Sequence, residues 1–312
     1  MREENVTIAS AGLRLAGVVR TPAGLPPGER RAAFLVLHGF GSNKNSQNVL
    51  APCKVLDDLG YVTLRFDMRG CGDSEGEHGR VICLEQVEDT RNALAFLSRH
   101  PAVAPDRIAV IGTSFGGAVA VYAGGIDRRI AAVVSNGGWG NGERKFRGQH
   151  ATPEAWARFT AMLAQGREHR ERTGRSLMVP RYDIVPIPAR LREELAGRAV
   201  QMFPAGTIEM FPAETAQSMF GFRTEDVVGQ IAPRPLLLLH SANDSVTPTE
   251  QSIEMFKRAG EPTELHLFSG VDHFMFAEDN DRVWRVVGDW LASYFPATVA
   301  ARVQDSAVKS FG

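Results

Sequence analysis

Cysteine is scarce in this chain of 312 residues, which has only Cys53, Cys71 and Cys83. An odd count without Cys-x-x-Cys spacing argues against a disulfide framework or a zinc site, and the three read as free thiols. An excess of one charge sign is missing too: 35 Lys and Arg against 36 Asp and Glu leave a net charge of −1. That balance gives no footing for nucleic acid or an anionic membrane surface. No apolar run reaches the length of a membrane span. The opening MREENVTIAS lacks the apolar stretch of a signal peptide. A soluble cytoplasmic protein is expected. Internal repeats and low-complexity segments are also absent. What is present is an ordinary globular mixture, 44% hydrophobic and 23% charged. The length suits one large α/β domain with an insertion, or two domains.

Strand and helix patterns alternate from residue 32 to 136. A β-rich hairpin comes first, "NVTIAS" and "LRLAGVVR", turning at Ser10-Ala11-Gly12. "AAFLVLHG" is a continuous apolar run, the mark of a strand buried on both faces. A helical pattern over 45–59, the strand "YVTLRFDM", a helix over 84–97, the strand "RIAVIG", a helix over 115–123 and the strand "IAAVVSN" follow. Such alternation predicts a mostly parallel sheet covered by helices on both faces. The rhythm breaks at 137–229. There Thr152-Pro153 reads as a helix start and Gly174 as its stop, with shorter helices in "PIPARLREELAGR" and "PAETAQSMF". "GERKFRGQH" reads as a solvated charged stretch. The rhythm returns with "PRPLLLLH", a helix over 249–259, "TELHLF" and a helix over 281–295; the final "VAARVQDSAVKSFG" has no strong pattern. The expected organisation is a core of 1–136 and 230–312, interrupted by a mainly helical cap at 137–229.

Within this frame "VIGTSFGGAV" carries chemistry. A Gly-x-Ser-x-Gly-Gly bend between a strand and a helix marks a nucleophile elbow, which places Ser114 at the tip. Gly112 and Gly116 permit the close backbone approach of so sharp a turn. A serine hydroxyl needs a base. Of eight histidines, His273 in "FSGVDHFMF" follows the last strand, in a loop that opens on the same sheet edge as Ser114. The base needs an orienting carboxylate. Asp244 in "LLLLHSANDSVTP" fits the chain order Ser, Asp, His. Asp272 is the rival, but a neighbour of His273 on an extended loop points away from it. The developing oxyanion needs donors, and "LHGFGSNKN" supplies a glycine-rich loop after the first buried strand. The backbone N–H groups of Phe40 and Phe115 are the candidates. This loop is no phosphate site, because it lacks the Gly-Lys-Ser/Thr ending of a P-loop. No metal and no organic cofactor are called for.

The motifs "LHGFGSNKN", "LRFDMRGCGDSEG", "VIGTSFGGAV", "LLLLHSANDSVTP" and "GVDHF", in that order, resemble the α/β-hydrolase superfamily over about residues 30–296. "HGFGSNKN" and "FDMRGCGDSEG" are most similar to bacterial cinnamoyl- and feruloyl-ester hydrolases. The second is also similar to the dipeptidyl-peptidase and cocaine-esterase branch. The resemblance implies an α/β-hydrolase fold, a Ser114–His273–Asp244 triad and a cap between strands six and seven. It implies loop-fixing roles for Asp67, Arg69 and Gly70, and offers a homodimer as a family-level expectation. The insertion is longer than in the small cinnamoyl esterases.

The expected activity is hydrolysis of a carboxylic ester of a small to medium substrate through an acyl-enzyme on Ser114. Amide hydrolysis, C–C bond hydrolysis and acyl transfer reuse the same triad and stay open. A non-catalytic ligand binder on this scaffold is the alternative from another class. Dehalogenation is disfavoured by serine at the nucleophile position. Met-Phe pairs at 202–203, 210–211 and 219–220 give the cap an adaptable apolar surface. Trp139, Met210 and Phe211 are the candidates for substrate contact.

Overall fold

The computed structural model describes residues 1–197, 204–278 and 280–298. The final segment from 299 and the Met202-Phe203 pair lie outside the described residues. Strands β1 (Arg2–Ser10) and β2 (Leu13–Thr21) form the expected antiparallel hairpin. Then come β3 (Arg31–Leu37), helix α1 (Gln47–Asp58), β4 (Val62–Phe66), α2 (Cys83–Leu97), β5 (Val103–Thr113), α3 (Phe115–Ile126) and β6 (Ile130–Asn136). After an inserted stretch the chain resumes with strands named below. Each helix lies close to its predicted span, because each spacing pattern ends at a real stop.

The inserted stretch contains α4 (Gly142–Gln149), α5 (Pro153–Thr173), β7 (Met178–Pro180), α6 (Arg181–Ile184), α7 (Ala189–Gly197), β8 (Met210–Pro212) and α8 (Ala213–Gly221). In α5 the Thr152 hydroxyl accepts from Ala155 N–H, Pro153 opens the first turn, and Gly174 closes the helix at φ 70°. Two features differ from expectation. Strands β7 and β8 pair antiparallel, Val179 opposite Phe211. Three residues are too few for an alternating pattern to show. "GERKFRGQ" is not a solvated stretch but helix α4, capped by Asn141, with Lys145 and Phe146 turned inward. Its charge density hid a one-sided apolar anchor.

The chain then returns through β9 (Leu236–Ser241), α9 (Glu250–Arg258), β10 (Thr263–Phe268) and α10 (Asp281–Tyr294). The sheet order is β1-β2-β4-β3-β5-β6-β9-β10, with β2 antiparallel to both its neighbours, β1 and β4, and the other neighbours parallel. Alternate residues feed two cores. Leu35, Val110, Val133 and Leu238 pack on the face with α3. Phe34, Val36, Ile111, Val134 and Leu239 pack on the other face, against Val283, Val287, Trp290 and Leu291 of α10. Burying each such side chain contributes roughly 1.5–3 kcal/mol. Because β3, β5, β6, β9 and β10 all run the same way, their C-terminal ends share one edge, and the loops leaving them meet there.

Candidate active site

Ser114 follows the last residue of β5 and immediately precedes α3. Its backbone sits at φ 56°, ψ −115°, and Ala11 is the other non-glycine residue with positive φ among the described residues. Such a conformation costs of order 1–3 kcal/mol and persists only where its surroundings impose it. The surroundings are tight. A Cβ on Gly112 would lie 2.2 Å from the Gly116 carbonyl oxygen, and one on Gly116 would lie 2.6 Å from that of His38. Ser114 N–H donates to the Asn136 carbonyl at 2.7 Å, which fastens the elbow to β6.

Asp244 leaves the end of β9, and His273 the end of β10. His273 Nδ1 lies 2.8 Å from Asp244 Oδ2, and both side chains are buried, at 2% and 0% exposure. The carboxylate has four donors. Val246 and Thr247 N–H reach Oδ1 at 2.8 and 2.6 Å. His240 Nε2 stands 3.2 Å from Oδ2. Burial pushes the Asp244 carboxyl up. The His273 charge and the hydrogen bonds from His240 and His273 outweigh it and hold the carboxyl well below the usual carboxylate range. An ionised Asp244 accepts only, so His273 Nδ1 carries a proton and Nε2 is the nitrogen left for chemistry. Asp272 points elsewhere: it accepts from Ser245 N–H, the Ser245 hydroxyl and the His273 backbone N–H, tying the two loops together.

His240 was not a candidate in the sequence. Its Nε2 also meets the Thr247 carbonyl at 3.0 Å, an acceptor only, so that nitrogen bears hydrogen and donates toward Asp244. Its place four residues before Asp244, at the end of the apolar run, is the signal that pointed to it.

Ser114 and His273 face one cavity of about 50 Å³, lined also by Gly39, Phe40 and Thr113 on the sheet side and by Arg181, Val185 and Ile187 from the insertion. Among the described residues the imidazole bonds to Asp244 and not to the Ser114 hydroxyl; in free enzymes that bond is often long and tightens with substrate.

The Phe40 loop is held from two sides. His38 is buried, and burial pushes its imidazole down, so it is neutral. Met68 N–H donates to His38 Nε2 at 3.1 Å, leaving Nδ1–H to donate to the Gly39 carbonyl at 2.9 Å. A trans peptide directs its C=O and N–H oppositely, so this anchor sends the Phe40 N–H the other way. From the insertion, Arg181 donates through Nη1 to the Phe40 carbonyl and through Nη2 to the Gly41 carbonyl, each at 2.9 Å. Its Nε reaches the Ile208 carbonyl at 2.8 Å. Phe115 begins α3, where backbone N–H groups lack intrahelical partners.

The three candidates for substrate contact lie off the cavity wall. Trp139 is buried behind it, packed on Phe115 at 5.7 Å between ring centroids. Phe211 is fully buried and stacks on Phe40 at 4.3 Å, backing the loop. Met210 is 44% exposed on β8. Strand alternation explains the last two, since neighbours on a strand face opposite ways. The apolar lining comes instead from Val185, Ile187, Val246 and Phe274.

Among the described residues no cluster of three or more His, Cys, Asp or Glu is placed to hold a metal ion. The three cysteines are free and buried, and burial pushes the Cys53 and Cys83 thiols up to about 12. No helix among the described residues is long and apolar enough to cross a membrane.

Comparison with known proteins agrees with this architecture. Residues 28–280 match the family Hydrolase_4, serine aminopeptidase, S33. The thiohydrolase aneE of Aspergillus aculeatus is 25% identical over 254 residues, 77% of this chain and 78% of that protein. The acyltransferase drtE of Aspergillus calidoustus is 26% identical over 268 residues, 80% of this chain and 82% of its own. The crystal structure of the α/β hydrolase GrgF from Penicillium sp. sh18 superposes with a TM-score of 0.77 at 23% identity, covering 94% of this chain and 99% of that one. The chain belongs to the Hydrolase_4 family, serine aminopeptidase S33, and is a serine hydrolase of the α/β-hydrolase superfamily.

Proposed function

We propose that this chain cleaves carboxylic esters of small to medium substrates, with Ser114 as nucleophile, His273 as base and acid, and Asp244 as the group that orients and stabilises the imidazole. The observation that carries the reading is the His273–Asp244 pair beside a backbone-strained Ser114 in one cavity. In the first half-reaction Ser114 Oγ attacks the carbonyl carbon while His273 Nε2 takes its proton. The tetrahedral intermediate collapses, the C–O bond to the alcohol breaks, and the leaving alkoxide receives that proton. Water then repeats the sequence on the acyl-enzyme and releases the acid. The Phe40 and Phe115 N–H groups bind the oxyanion in both halves. Removing one such donor costs about 3 kcal/mol of transition-state stabilisation. Residues 137–229 serve as a cap that closes the cavity over a core of 1–136 and 230–312. Neither a cofactor nor a metal enters this scheme.

A second reading keeps the acyl-enzyme and changes what enters or leaves. The relatives named thiohydrolase and acyltransferase favour a thioester donor, or an alcohol in place of water in the second half. A fluorophosphonate probe with a short p-nitrophenyl ester tests the common step. Labelling at Ser114 with turnover is expected; folded protein that neither labels nor turns over would overturn both readings in favour of a binder. Product analysis with p-nitrophenyl ester and thioester donors, with and without an added alcohol, separates hydrolysis from transfer.

A further inference from the structure

Besides its apolar lining, the same cavity has polar side chains around it. Ser42, Ser46, Asn48 and Thr113 all line it and are 7, 2, 7 and 2% exposed. Ser42 Oγ, Ser46 Oγ, Asn48 Oδ1 and Thr113 Oγ1 are each buried without a hydrogen-bond partner among the described residues. Folded proteins pair nearly all their buried polar atoms. Four such atoms on residues that line one cavity, beside Ser114, mark a place built for a partner that comes and goes.

Ser46 makes the case sharper. It is the N-cap residue of α1 in extended conformation, the position where a serine hydroxyl ordinarily accepts from the helix's own N–H groups, yet its side chain makes no capping bond. Its carbonyl does the ordinary work, accepting from Val49 and Leu50 N–H at 2.9 Å each. Leaving the cap hydroxyl unused sacrifices stability that a capping serine commonly supplies. The helix start also adds positive potential on this side of the cavity.

We propose that Ser42, Ser46, Asn48 and Thr113 form a subsite for a hydroxyl group carried by the acyl part of the substrate, so that hydroxylated acyl groups are preferred over plain aliphatic ones. The proposal rests on the Ser114 reading above. Hydroxyl chemistry fits because an alcohol can donate to Asn48 Oδ1 while accepting from a serine or threonine hydroxyl. A carboxylate can only accept, so it would suit this lining only with the Asn48 amide turned to present its NH2, and the succinate ester in the test below covers that case. Val185, Ile187, Val246 and Phe274 then take the hydrocarbon.

The test compares kcat/KM for p-nitrophenyl esters of butyrate, 2-hydroxybutyrate, 3-hydroxybutyrate and succinate, in the wild type and in Ser46→Ala and Asn48→Leu. One of the hydroxylated esters should exceed butyrate by about tenfold, the scale of one or two neutral hydrogen bonds. That ratio, read within each variant, should shrink toward one in both. Equal rates for the hydroxylated and plain esters, a preference for succinate, or a preference untouched by both substitutions would overturn the subsite. If a variant does not fold, the wild-type ranking decides alone. Fluorophosphonate labelling of the wild type separates the two levels. Labelling at Ser114 with no hydroxyl preference removes the subsite and leaves the nucleophile; no labelling and no turnover removes both.

Discussion

Two groups of loops meet at Ser114, and they are held by different means. Those leaving the sheet are fixed by backbone: the elbow by Ser114 N–H on Asn136 and by glycines with no room for a Cβ, the Asp244 loop by two backbone N–H groups on its carboxylate. The inserted stretch reaches the site chiefly through side chains, with one backbone bond, from Ile208 N–H to the Gly41 carbonyl at 3.0 Å. Arg181 grips the carbonyls of Phe40 and Gly41, and Val185 and Ile187 close the wall. Backbone fixation makes the reacting geometry insensitive to side-chain exchange elsewhere. Side-chain fixation lets the enclosure change without disturbing the reacting atoms, except at the Phe40 loop, which Arg181 and the Ile208 N–H join to the insertion.

If that division holds, the largest losses come from the sheet side. Ser114→Ala should lower kcat/KM for a p-nitrophenyl ester by on the order of 10⁴-fold or more, with an unchanged thermal midpoint. Near-normal turnover would remove Ser114 as nucleophile. Asp244→Asn should lose on the order of 10⁴-fold, whereas Asp272→Asn, which disturbs only loop contacts, should lose less than about tenfold. The reverse ranking in steady-state kinetics would reassign the acid. Asp244 is held ionised well below neutrality, so its protonation does not limit turnover near neutral pH.

Arg181 probes the junction. Arg181→Lys keeps a charge but cannot span three carbonyls. The freed Phe40 loop should lose about 10²-fold in kcat, with a smaller change in KM, if oxyanion geometry depends on this clamp. A variant altered in KM alone would make the arginine a wall residue and nothing more.

The smallest effect concerns α4. Lys145 is buried, donates to Gln149 Oε1 at 2.8 Å and lies 4.9 and 4.1 Å from the Trp139 and Phe146 ring centroids. Burial pushes its ammonium down to about 7, against the pull of Cys83 and Asp244. Between that value and the ~10.4 of an unfolded lysine, the unfolded chain binds the extra proton, so stability should rise with pH through this window and level off on either side. Lys145→Met should flatten that rise in denaturant titrations; an equal slope in both proteins would show that Lys145 does not titrate there.

Legibility in the sequence follows the same division. In a parallel sheet, a loop after a strand has one edge to go to. Chain order therefore sufficed to bring Asp244 and His273 together, and to set Ser114 and Phe40 beside them. The insertion offers no such rule. Phe211 is as apolar as any lining residue, and only its pairing in a three-residue strand turns it away from the cavity. Arg181 sits in no motif, and its three acceptors come from two segments far apart along the chain, 40–41 and Ile208. The polar lining was missed because "SNKNSQN" reads as an ordinary helix start. Only the unused cap on Ser46 distinguishes it, and that is a fact of geometry.

Peptide mapping after a brief exposure to a p-nitrophenyl ester and an acid quench tests the central claim most directly. The account predicts an acyl group on the peptide bearing Ser114, absent in Ser114→Ala and slow to form in His273→Ala. Acylation at another residue, or acylation at Ser114 that proceeds equally fast without the imidazole, would contradict it.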